Sequence, residues 1–256
     1  MAIGTFYIKD AEALYTSVHS LIPAISKIKK ANSTDEPRVS CPKSYYDNIV
    51  VSVIGSCIYF STIGRFNVLS SCIPLHDICL QYDTDCSTEW VITLEYAKSL
   101  ISWLKILGTG KEIRVEVSHS SLLMLQKEKG GDYSSFRVIL PTRSLEDFPY
   151  LSDGLVGALD LAHRVEPSGE GTDPAVPIGL PIVNFKTKTR LLLAHAEFMQ
   201  RMHRGTDVGH LLTRYVCHKG HTYMIMKTAI STERPYQVFT VLAPITNLVG
   251  VGEQDD

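Results

Sequence analysis

Apolar and polar positions alternate along the chain with two different periods, and the change between them predicts the order of the secondary structure elements. In residues 10–30, 95–111 and 186–204, apolar side chains recur every three or four positions, as on one face of an amphipathic α-helix. The segments that follow are rich in β-branched and aromatic residues, which is typical of strands. A strand, a helix and three strands are thus predicted for residues 3–80 and again for residues 88–143.

This predicted order breaks between residues 152 and 181. From Pro167 onward the segment is dense in glycine and proline, which is the composition of a linker or a long loop. Residues 182–256 then predict a strand that enters a helix, followed by three further strands. Helices alternating with hairpins in this way favour an α+β fold, in which helices pack on antiparallel sheets. We therefore expect one unit in residues 1–151, a linker or irregular segment in 152–181, and a second, shortened unit in 182–256.

Composition and charge narrow the class of protein. Hydrophobic residues make up 45% of the chain and charged residues 20%, as in an ordinary globular protein. The net charge of -2 gives no global signal for nucleic-acid binding, so any basic surface has to arise from local segregation of charge. No apolar run approaches the roughly 18–20 residues that a membrane span needs, and the first residues lack the pattern of a signal peptide. We therefore expect a cytoplasmic protein that does not contact a membrane.

Histidine and cysteine residues raise the question of a metal site or an active site. Cys217, His218 and His221 lie close together in sequence, but a zinc site needs about four ligands, and no second pair of cysteines accompanies them. An α+β metal-binding enzyme that uses these three residues is therefore kept as a lesser alternative. The six cysteines of this long chain favour reduced, mostly buried thiols. Because no local motif pairs a nucleophile with a base, we expect no enzyme activity, no metal and no cofactor.

The stretch from Ser134 to Leu151 combines a predicted strand with a polar turn and an apolar end. Phe148, Pro149 and Leu151 give this end more apolar surface than a loop normally carries. Together with the element order around it, the stretch resembles the strand, polar turn and closing Phe-Pro-x-Leu of the DNA sliding clamps, most closely the bacterial β clamp. The resemblance is best over Asp47–Leu151. It implies that Phe148, Pro149 and Leu151 end one domain and fill the junction with the next.

The resemblance also implies a fold and a function. The fold is the DNA-clamp fold, in which each half-domain packs a helix on an antiparallel sheet. Residues 1–151 would form a clamp-like domain of two half-domains, and residues 182–256 a shortened second domain. The function is that of a non-enzymatic processivity factor, which encircles duplex DNA without sequence specificity and tethers a DNA polymerase. Because rings of this family comprise six domains, two domains per chain imply a homotrimer, as in a compact clamp of a phage or plasmid.

The local charge of the predicted helices agrees with this function. Helix candidates 10–30, 95–111 and 186–204 carry net charges of +1, +2 and +4, although the whole chain carries -2. Contacts from such helices to backbone phosphates depend on salt and are independent of base sequence. The alternative is that these side chains only solvate the outer faces of amphipathic helices. The predicted DNA-binding residues are Lys27, Lys29, Lys30, Lys98, Lys105, Lys188, Arg190, Arg201 and Arg204.

The end of the last predicted strand is a candidate site for protein partners. Ala243, Pro244 and Ile245 form an apolar-proline-apolar triplet, which resembles the C-terminal end of the β clamp. Clamps bind short peptide motifs of the polymerase and the clamp loader in an apolar groove near this place, so the resemblance implies the same here. A strand that simply ends at a proline is the alternative for these residues. For the whole chain, the main alternative is a clamp-derived interaction module that does not encircle DNA.

Overall fold

The computed structural model describes a layer of helices on a large antiparallel sheet. The described residues are 4–32, 47–64, 67–80, 88–108, 110–128, 133–148, 151, 157–158, 187, 189–202, 211–218, 221–228 and 237–242. The longest helices in these segments are α1 (Ala11–Asn32), α2 (Leu94–Leu107) and α3 (Thr189–Met202). A 3-10 helix spans Leu145–Asp147.

The strands are short except for one, and they are numbered here in chain order. They are β1 (Gly4–Ile8), β2 (Asn48–Ile54), β3 (Cys57–Gly64), β4 (Asn67–Leu80), β5 (Glu89–Thr93), β6 (Ile113–Val117), β7 (Ser121–Lys127), β8 (Tyr133–Pro141), β9 (Arg143–Ser144), β10 (Leu211–His218), β11 (His221–Thr228) and β12 (Gln237–Leu242). The longest, β4, has 14 residues, and this length lets it pair with three other strands.

Strand β4 connects the parts of the sheet. The main path of hydrogen-bonded neighbours is β8-β7-β6-β1-β4-β3-β2-β5-β9, and β10, β11 and β12 form a branch that joins it at β4. Residues 75–80 of β4 pair with β1, and residues 67–74 pair with β3. On its other edge, residues 67–72 pair with β12. The early part of β4 is therefore hydrogen-bonded on both sides by strands that lie far apart in sequence.

The predicted α+β fold and the repeated order of elements are confirmed. A strand, a helix and three strands occur as β1-α1-β2-β3-β4 and again as β5-α2-β6-β7-β8. The two series exchange their first strands, because β1 pairs with β6 and β5 pairs with β2. The third series is described as α3 followed by β10, β11 and β12. It completes its sheet by pairing β12 with β4 of the first series.

Helix α2 shows how local sequence sets the ends of a helix. The Thr93 hydroxyl accepts a hydrogen bond from the backbone N–H of Tyr96 at 3.4 Å and so caps the first turn. Gly108 has a φ of 78°, which glycine adopts without strain, and its N–H donates to the Leu104 carbonyl at 3.2 Å. The helix therefore ends at Leu107, before the glycines Gly108 and Gly110 that the sequence predicts to end it, and Lys111 of the candidate range 95–111 lies beyond it.

All three helices pack on one face of the sheet, with α1 in contact with both α2 and α3. The apolar faces that the sequence predicts for α1 and α2 are buried, apart from the half-buried Ile22. They consist of Leu14, Val18, Leu21, Ile25 and Ile28 in α1, and of Ala97, Leu100, Ile101, Leu104 and Leu107 in α2. None of the helices described is both long and apolar enough to cross a membrane.

The opposite face of the sheet carries a second apolar cluster. It joins residues of β2–β5 to residues of β11 and β12. Phe148 and Leu151 belong to this cluster and expose only 9% and 2% of their surface. The apolar end of the stretch after β8 therefore covers the sheet where strands from both ends of the chain meet. The role of Phe148, Pro149 and Leu151 at a junction between domains stays a prediction, and Pro149 lies outside the described residues.

Candidate nucleic-acid interface

The solvent-exposed side of α1, α2 and α3 forms a single surface, which we call the helical surface. Within their observed bounds the three helices contain seven Lys or Arg residues and three Glu residues, a net charge of +4. The larger sum expected from the sequence also counts residues that lie beyond these bounds. Of these residues, Lys111 lies beyond the end of α2, whereas Lys186, Lys188 and Arg204 lie outside the described residues. The described part of this surface is therefore basic.

The lysines of α1 lie near carboxylates. Lys27 forms an ion pair with Glu197 of α3. The Nζ atom of Lys29 lies 2.7 Å from Oδ2 of Asp47, and Lys30 is exposed in the last turn. Ion pairs between side chains this exposed contribute only about 0–1 kcal/mol, so a phosphate can compete with either carboxylate for its lysine. Lys27 and Lys29 are therefore available to DNA only after an exchange of partners.

Helix α2 contributes the clearest pair of cations. Lys98 and Lys105 are exposed, and their separation of seven residues places them on one side of the helix, about 10 Å apart along its axis. Within the described segments neither side chain forms an ion pair. The hydroxyl of Ser102, between them, donates to the backbone carbonyl of Lys98 at 3.1 Å. Lys98 and Lys105 can therefore bind a phosphate without first leaving a carboxylate of the described residues.

Helix α3 has its cations on one flank only. Successive helical residues turn by about 100°, so Arg190, Glu197 and Arg201 share one side of the helix. The ion pair between Glu197 and Lys27 shows that this side borders α1. Arg190 is exposed and Arg201 is half-buried. Both arginines therefore line the boundary between α3 and α1 and do not point from the crest of α3.

Two exposed leucines lie on the solvent side of α3, a feature that the sequence prediction missed. Leu192 and Leu193 expose 39% and 54% of their surface. Their place in the run Leu191-Leu192-Leu193 is the signal that was available, because one amphipathic helix cannot bury three successive leucines on a single face. These side chains offer nothing to a phosphate, so α3 contributes less to a basic surface than its composition suggests.

Several predicted site residues lie outside the described part of the chain. They are Lys188 and Arg204 at the two ends of α3, and Ala243, Pro244 and Ile245 directly after β12. Their assignment to DNA binding and to partner binding stays a prediction.

The proposed metal ligands lie on the β10–β11 hairpin. Its register pairs His218 with His221 and Cys217 with Thr222, but the side chains of these residues are not among those described. Among the side chains that are described, no group of three His, Cys, Asp or Glu residues is close enough together to hold a metal ion. The metal-binding alternative therefore gains no support from the described residues.

A small cleft of about 220 Å³ opens at the start of α2. Its lining contains one carboxylate, Glu95, and one cation, Arg143, together with Thr93, Tyr96 and Thr142. It combines neither two carboxylates nor a histidine with a nucleophile, which are the usual groups for acid–base or covalent catalysis. This cleft therefore gives no support for an active site.

A buried histidine, His195, lies on the inner side of α3. Its side chain is fully buried, and neither ring nitrogen has a hydrogen-bond partner within the described residues. Burial lowers the pKa of His195 to about 3, so the imidazole is neutral at neutral pH. A position four residues after Leu191 and three before Phe198, on the apolar stripe of the helix, is the sequence signal for this burial. His195 is thus buried in the core as a neutral side chain.

Comparison with known proteins finds similarity in structure alone. No protein-family model matches the chain, and no curated protein sequence matches it significantly. Similar solved structures include a DNA polymerase III subunit β from Pseudomonas aeruginosa, with 14% identity, a TM-score of 0.49, and coverage of 93% of this chain and 64% of that chain. The P. aeruginosa sliding clamp bound to griselimycin has 16% identity and a TM-score of 0.39, and the match covers 90% of this chain and 50% of that chain. A DNA polymerase sliding clamp from Caulobacter crescentus has 14% identity and a TM-score of 0.37, and the match covers 87% of this chain and 47% of that chain.

The chain spans between 47% and 64% of the length of these three clamps. Identities and TM-scores this low indicate a general similarity of fold and do not support an argument about function. The proposal below therefore rests on the topology and charges of the chain itself.

Proposed function

We propose that this chain is a clamp-like processivity factor that binds duplex DNA through its helical surface. The supporting observation is the layer of three helices, with seven cations and three carboxylates, on one face of the sheet in a chain of net charge -2. Phosphates attract such a surface whatever the base sequence. The proposed units are a clamp-like domain in residues 1–151 and a shortened one in 182–256, joined by 152–181.

The proposed partners are duplex DNA, a DNA polymerase and a clamp loader. Peptide motifs of the two proteins would bind at Ala243, Pro244 and Ile245, directly after β12 ends at Leu242. The chain would act without catalysis, metal or cofactor. Its place of action would be the cytoplasm of a bacterial or phage-infected cell, where replicating DNA is found.

A second candidate function follows from the edge of β4. Strand β12 of the same chain pairs with residues 67–72 of β4 over six residue pairs, from Leu242 opposite Asn67 to Gln237 opposite Cys72. A strand edge paired in this way is closed to a strand from another protomer. This pairing favours a clamp-derived module that binds duplex DNA without encircling it. A head-to-tail homotrimer would need a different edge, or β12 of a neighbouring protomer on β4.

Charge reversal on α2 tests the DNA interface. We expect Lys98→Glu with Lys105→Glu to weaken binding to two unrelated duplexes by roughly tenfold or more at low salt, because two phosphate contacts become repulsive. Fluorescence anisotropy at several salt concentrations measures this change. The matched control, Arg137→Glu with Arg143→Glu, makes the same change of charge at exposed positions outside the helices and should alter affinity less than twofold. If the α2 variant binds like the wild type, the helical surface is not the DNA site.

Retention on circular DNA separates the two candidate functions. A ring should stay on a closed circular duplex through a high-salt wash and leave after the circle is cut once. A module that does not encircle DNA should leave both forms at the same salt concentration. Mass photometry of the free protein provides the second measurement, because a ring predicts trimers, whereas the internal β12–β4 pairing predicts monomers.

A further inference from the structure

Two cysteines meet on the face of the sheet that lies opposite the helices. In the pairing of β3 with β4, Tyr59 is opposite Cys72 and Cys57 is opposite Pro74, so the cysteines lie diagonally on the same face. Their side chains are in hydrogen-bonding contact. Cys72 exposes only 6% of its surface, whereas Cys57, beside the turn at Gly55, is partly exposed. One thiol of the pair is therefore open to solvent and the other is enclosed.

The hydrogen bonds around the pair favour a negative charge on Cys57. The Cys72 thiol donates to the Cys57 sulfur, and this contact, with help from the side chain of Ser56 and against the effect of burial, lowers the pKa of Cys57 to about 7. The contact with Cys57 and burial raise the pKa of Cys72, which keeps its proton. Burial raises the pKa of Tyr59, whose hydroxyl donates to the Cys72 sulfur. Cys57 is therefore the member of the pair that ionises first, and its negative charge is stabilised by hydrogen bonds from the Cys72 thiol and Ser56.

Lys227 completes the charged surroundings of the pair. It is on β11, exposes 6% of its surface, and its positive charge acts to lower the pKa of Cys72. Among the described residues, the Tyr59 hydroxyl on β3 and the Lys227 ammonium on β11 are the titratable groups that act on Cys72 besides Cys57. A half-exposed thiolate beside a protonated, enclosed thiol is the arrangement found at reactive cysteines.

We propose that Cys57 is a reversible oxidation site and that Cys72 is its resolving thiol. The Cys57 thiolate attacks one oxygen of hydrogen peroxide, the O–O bond breaks, and the products are a sulfenic acid on Cys57 and, after proton uptake, water. The Cys72 sulfur then attacks the sulfenic sulfur, an S–S bond forms, and the hydroxyl leaves with the Cys72 proton as a second water. Two thiols and one peroxide yield one disulfide and two waters. A small-molecule thiol reverses the step by exchange.

The diagonal placement makes this disulfide a labile one. Diagonal positions in an antiparallel pair are about 7–8 Å apart between Cα atoms, whereas a disulfide needs about 4.4–6.8 Å. Strands β3 and β4 therefore have to shift when the bond forms, and the resulting strain makes the bond easy to reduce. Cys72 also pairs with Gln237 of β12, so the shift occurs where β12 joins β4. Oxidation is thus expected to loosen the attachment of β12.

Alkylation rates test the reactive thiol. We expect iodoacetamide at pH 7 to modify Cys57 in the folded full chain before it modifies Cys72. In Cys72→Ala the pKa of Cys57 should return toward 9, which lowers the thiolate fraction about fiftyfold. The greater nucleophilicity of the more basic thiolate offsets part of this loss, and a slowing of about sixfold remains. Cys72→Ser retains a hydroxyl donor and should restore most of the rate.

Tyr59→Phe provides a second variant that leaves both thiols in place. It removes the donor to Cys72 and should slow alkylation of Cys57 by less than Cys72→Ala does. Unchanged rates in both Cys72→Ala and Tyr59→Phe, with circular dichroism showing folded proteins, would overturn the proposed role of Cys72.

Peptide mapping after peroxide treatment tests the disulfide. Trypsin cleaves after Arg65, which places Cys57 and Cys72 on separate peptides. We expect micromolar hydrogen peroxide to link these two peptides, fragment spectra to locate the bond at Cys57 and Cys72, and millimolar glutathione to release it. Hydrogen exchange should show faster exchange in residues 237–242 of the oxidised protein. Sulfinic acid at Cys57, or a disulfide of Cys57 with another cysteine, would refute the resolving role of Cys72.

Discussion

Residues 4–141 and residues 189–242 build their sheets in different ways. In residues 4–141, here called the N-terminal part, two series of elements exchange their first strands and each contributes a helix. In residues 189–242, the C-terminal part, the described elements are one helix and three strands. They pack against α1 and pair with β4, both of which belong to the N-terminal part. The C-terminal part therefore completes its core with elements that it does not itself contain.

This difference has a consequence for stability. Phe198 and Met202 of α3 belong to the same apolar cluster as Leu14 and Phe60 of the N-terminal part, so the core is continuous. The N-terminal part nevertheless has strand partners on both sides of β1 and β2, whereas among the described strands the C-terminal part pairs with the N-terminal part only through β12 and β4, and its other connections are side-chain packing. Segments with fewer connections open at lower free energy. We expect the C-terminal part to unfold first and the N-terminal part to remain.

The largest effect is expected from removing a buried phenylalanine in each part. Phe60 of β3 and Phe198 of α3 are fully buried, so changing either to alanine costs about 3–5 kcal/mol. Phe60→Ala should destabilise the whole fold, whereas Phe198→Ala should expose only the C-terminal part. Urea unfolding followed by hydrogen exchange distinguishes the two responses. Equal loss of protection in both parts after Phe198→Ala would mean that the two parts unfold as one unit.

A proline in β12 should separate the parts more directly. Thr240 lies opposite Met226 of β11 and Leu69 of β4, and Thr240→Pro removes a backbone donor from this central strand at a cost on the order of 3 kcal/mol. Limited proteolysis should then release fragments from the C-terminal part first. Thr240→Val is the matched control. The Thr240 hydroxyl is buried without a partner among the described residues, so this change should leave stability the same or slightly higher.

Acid should weaken the C-terminal part through His195. Its pKa is about 3 in the folded protein against 6.5 for an exposed histidine, so between these values the unfolded chain binds more protons. Above pH 6.5 the neutral ring makes its whole contribution to the free energy of unfolding. This contribution decreases as the pH falls from 6.5 toward 3, and at pH 5 it is smaller by about 2 kcal/mol. Urea titrations at pH 7 and pH 5 measure the change. His195→Leu should lose this part of the pH dependence, and an unaltered dependence would contradict the assigned burial.

The smallest effect is expected from the ion pair between the parts. Lys27 and Glu197 are both more than a third exposed, so their coupling should be at most about 1 kcal/mol and should decrease in high salt. A double-mutant cycle with Lys27→Met and Glu197→Gln measures it. A coupling of several kcal/mol would mean that this contact, and not β12, holds the C-terminal part in place.

Local features of the fold could be predicted from the sequence, because each depends on neighbouring residues. The apolar stripe of α2 and its end at Gly108 follow from spacing and from the conformational freedom of glycine. The repeated order of strands and helices follows in the same way. The burial of Phe148 and Leu151 could be expected from the amount of apolar surface in an otherwise polar turn.

Features that depend on distant contacts could not be predicted. Residues 67–72 pair with residues 237–242 of β12, which are far away in sequence. The alternation of apolar and polar residues predicts a strand but not which strand it pairs with. The same holds for the candidate site. The ion pair of Lys27 with Glu197 could not be predicted, because it depends on how α1 packs against α3. The exposed position of Lys98 and Lys105 follows from the period of α2 alone, whereas their role in DNA binding stays a prediction.

The double pairing of β4 also has a consequence for synthesis on the ribosome. Residues 67–72 are translated about 165 residues before the β12 segment that pairs with their second edge. At roughly 5–20 residues per second, this edge of the nascent chain lacks its final partner for about 8–30 seconds. An unpaired edge rich in Val, Leu and Ser attracts other strands. Chaperones that protect the emerging polypeptide are therefore expected to bind here first, and slowing translation after residue 72 should increase aggregation.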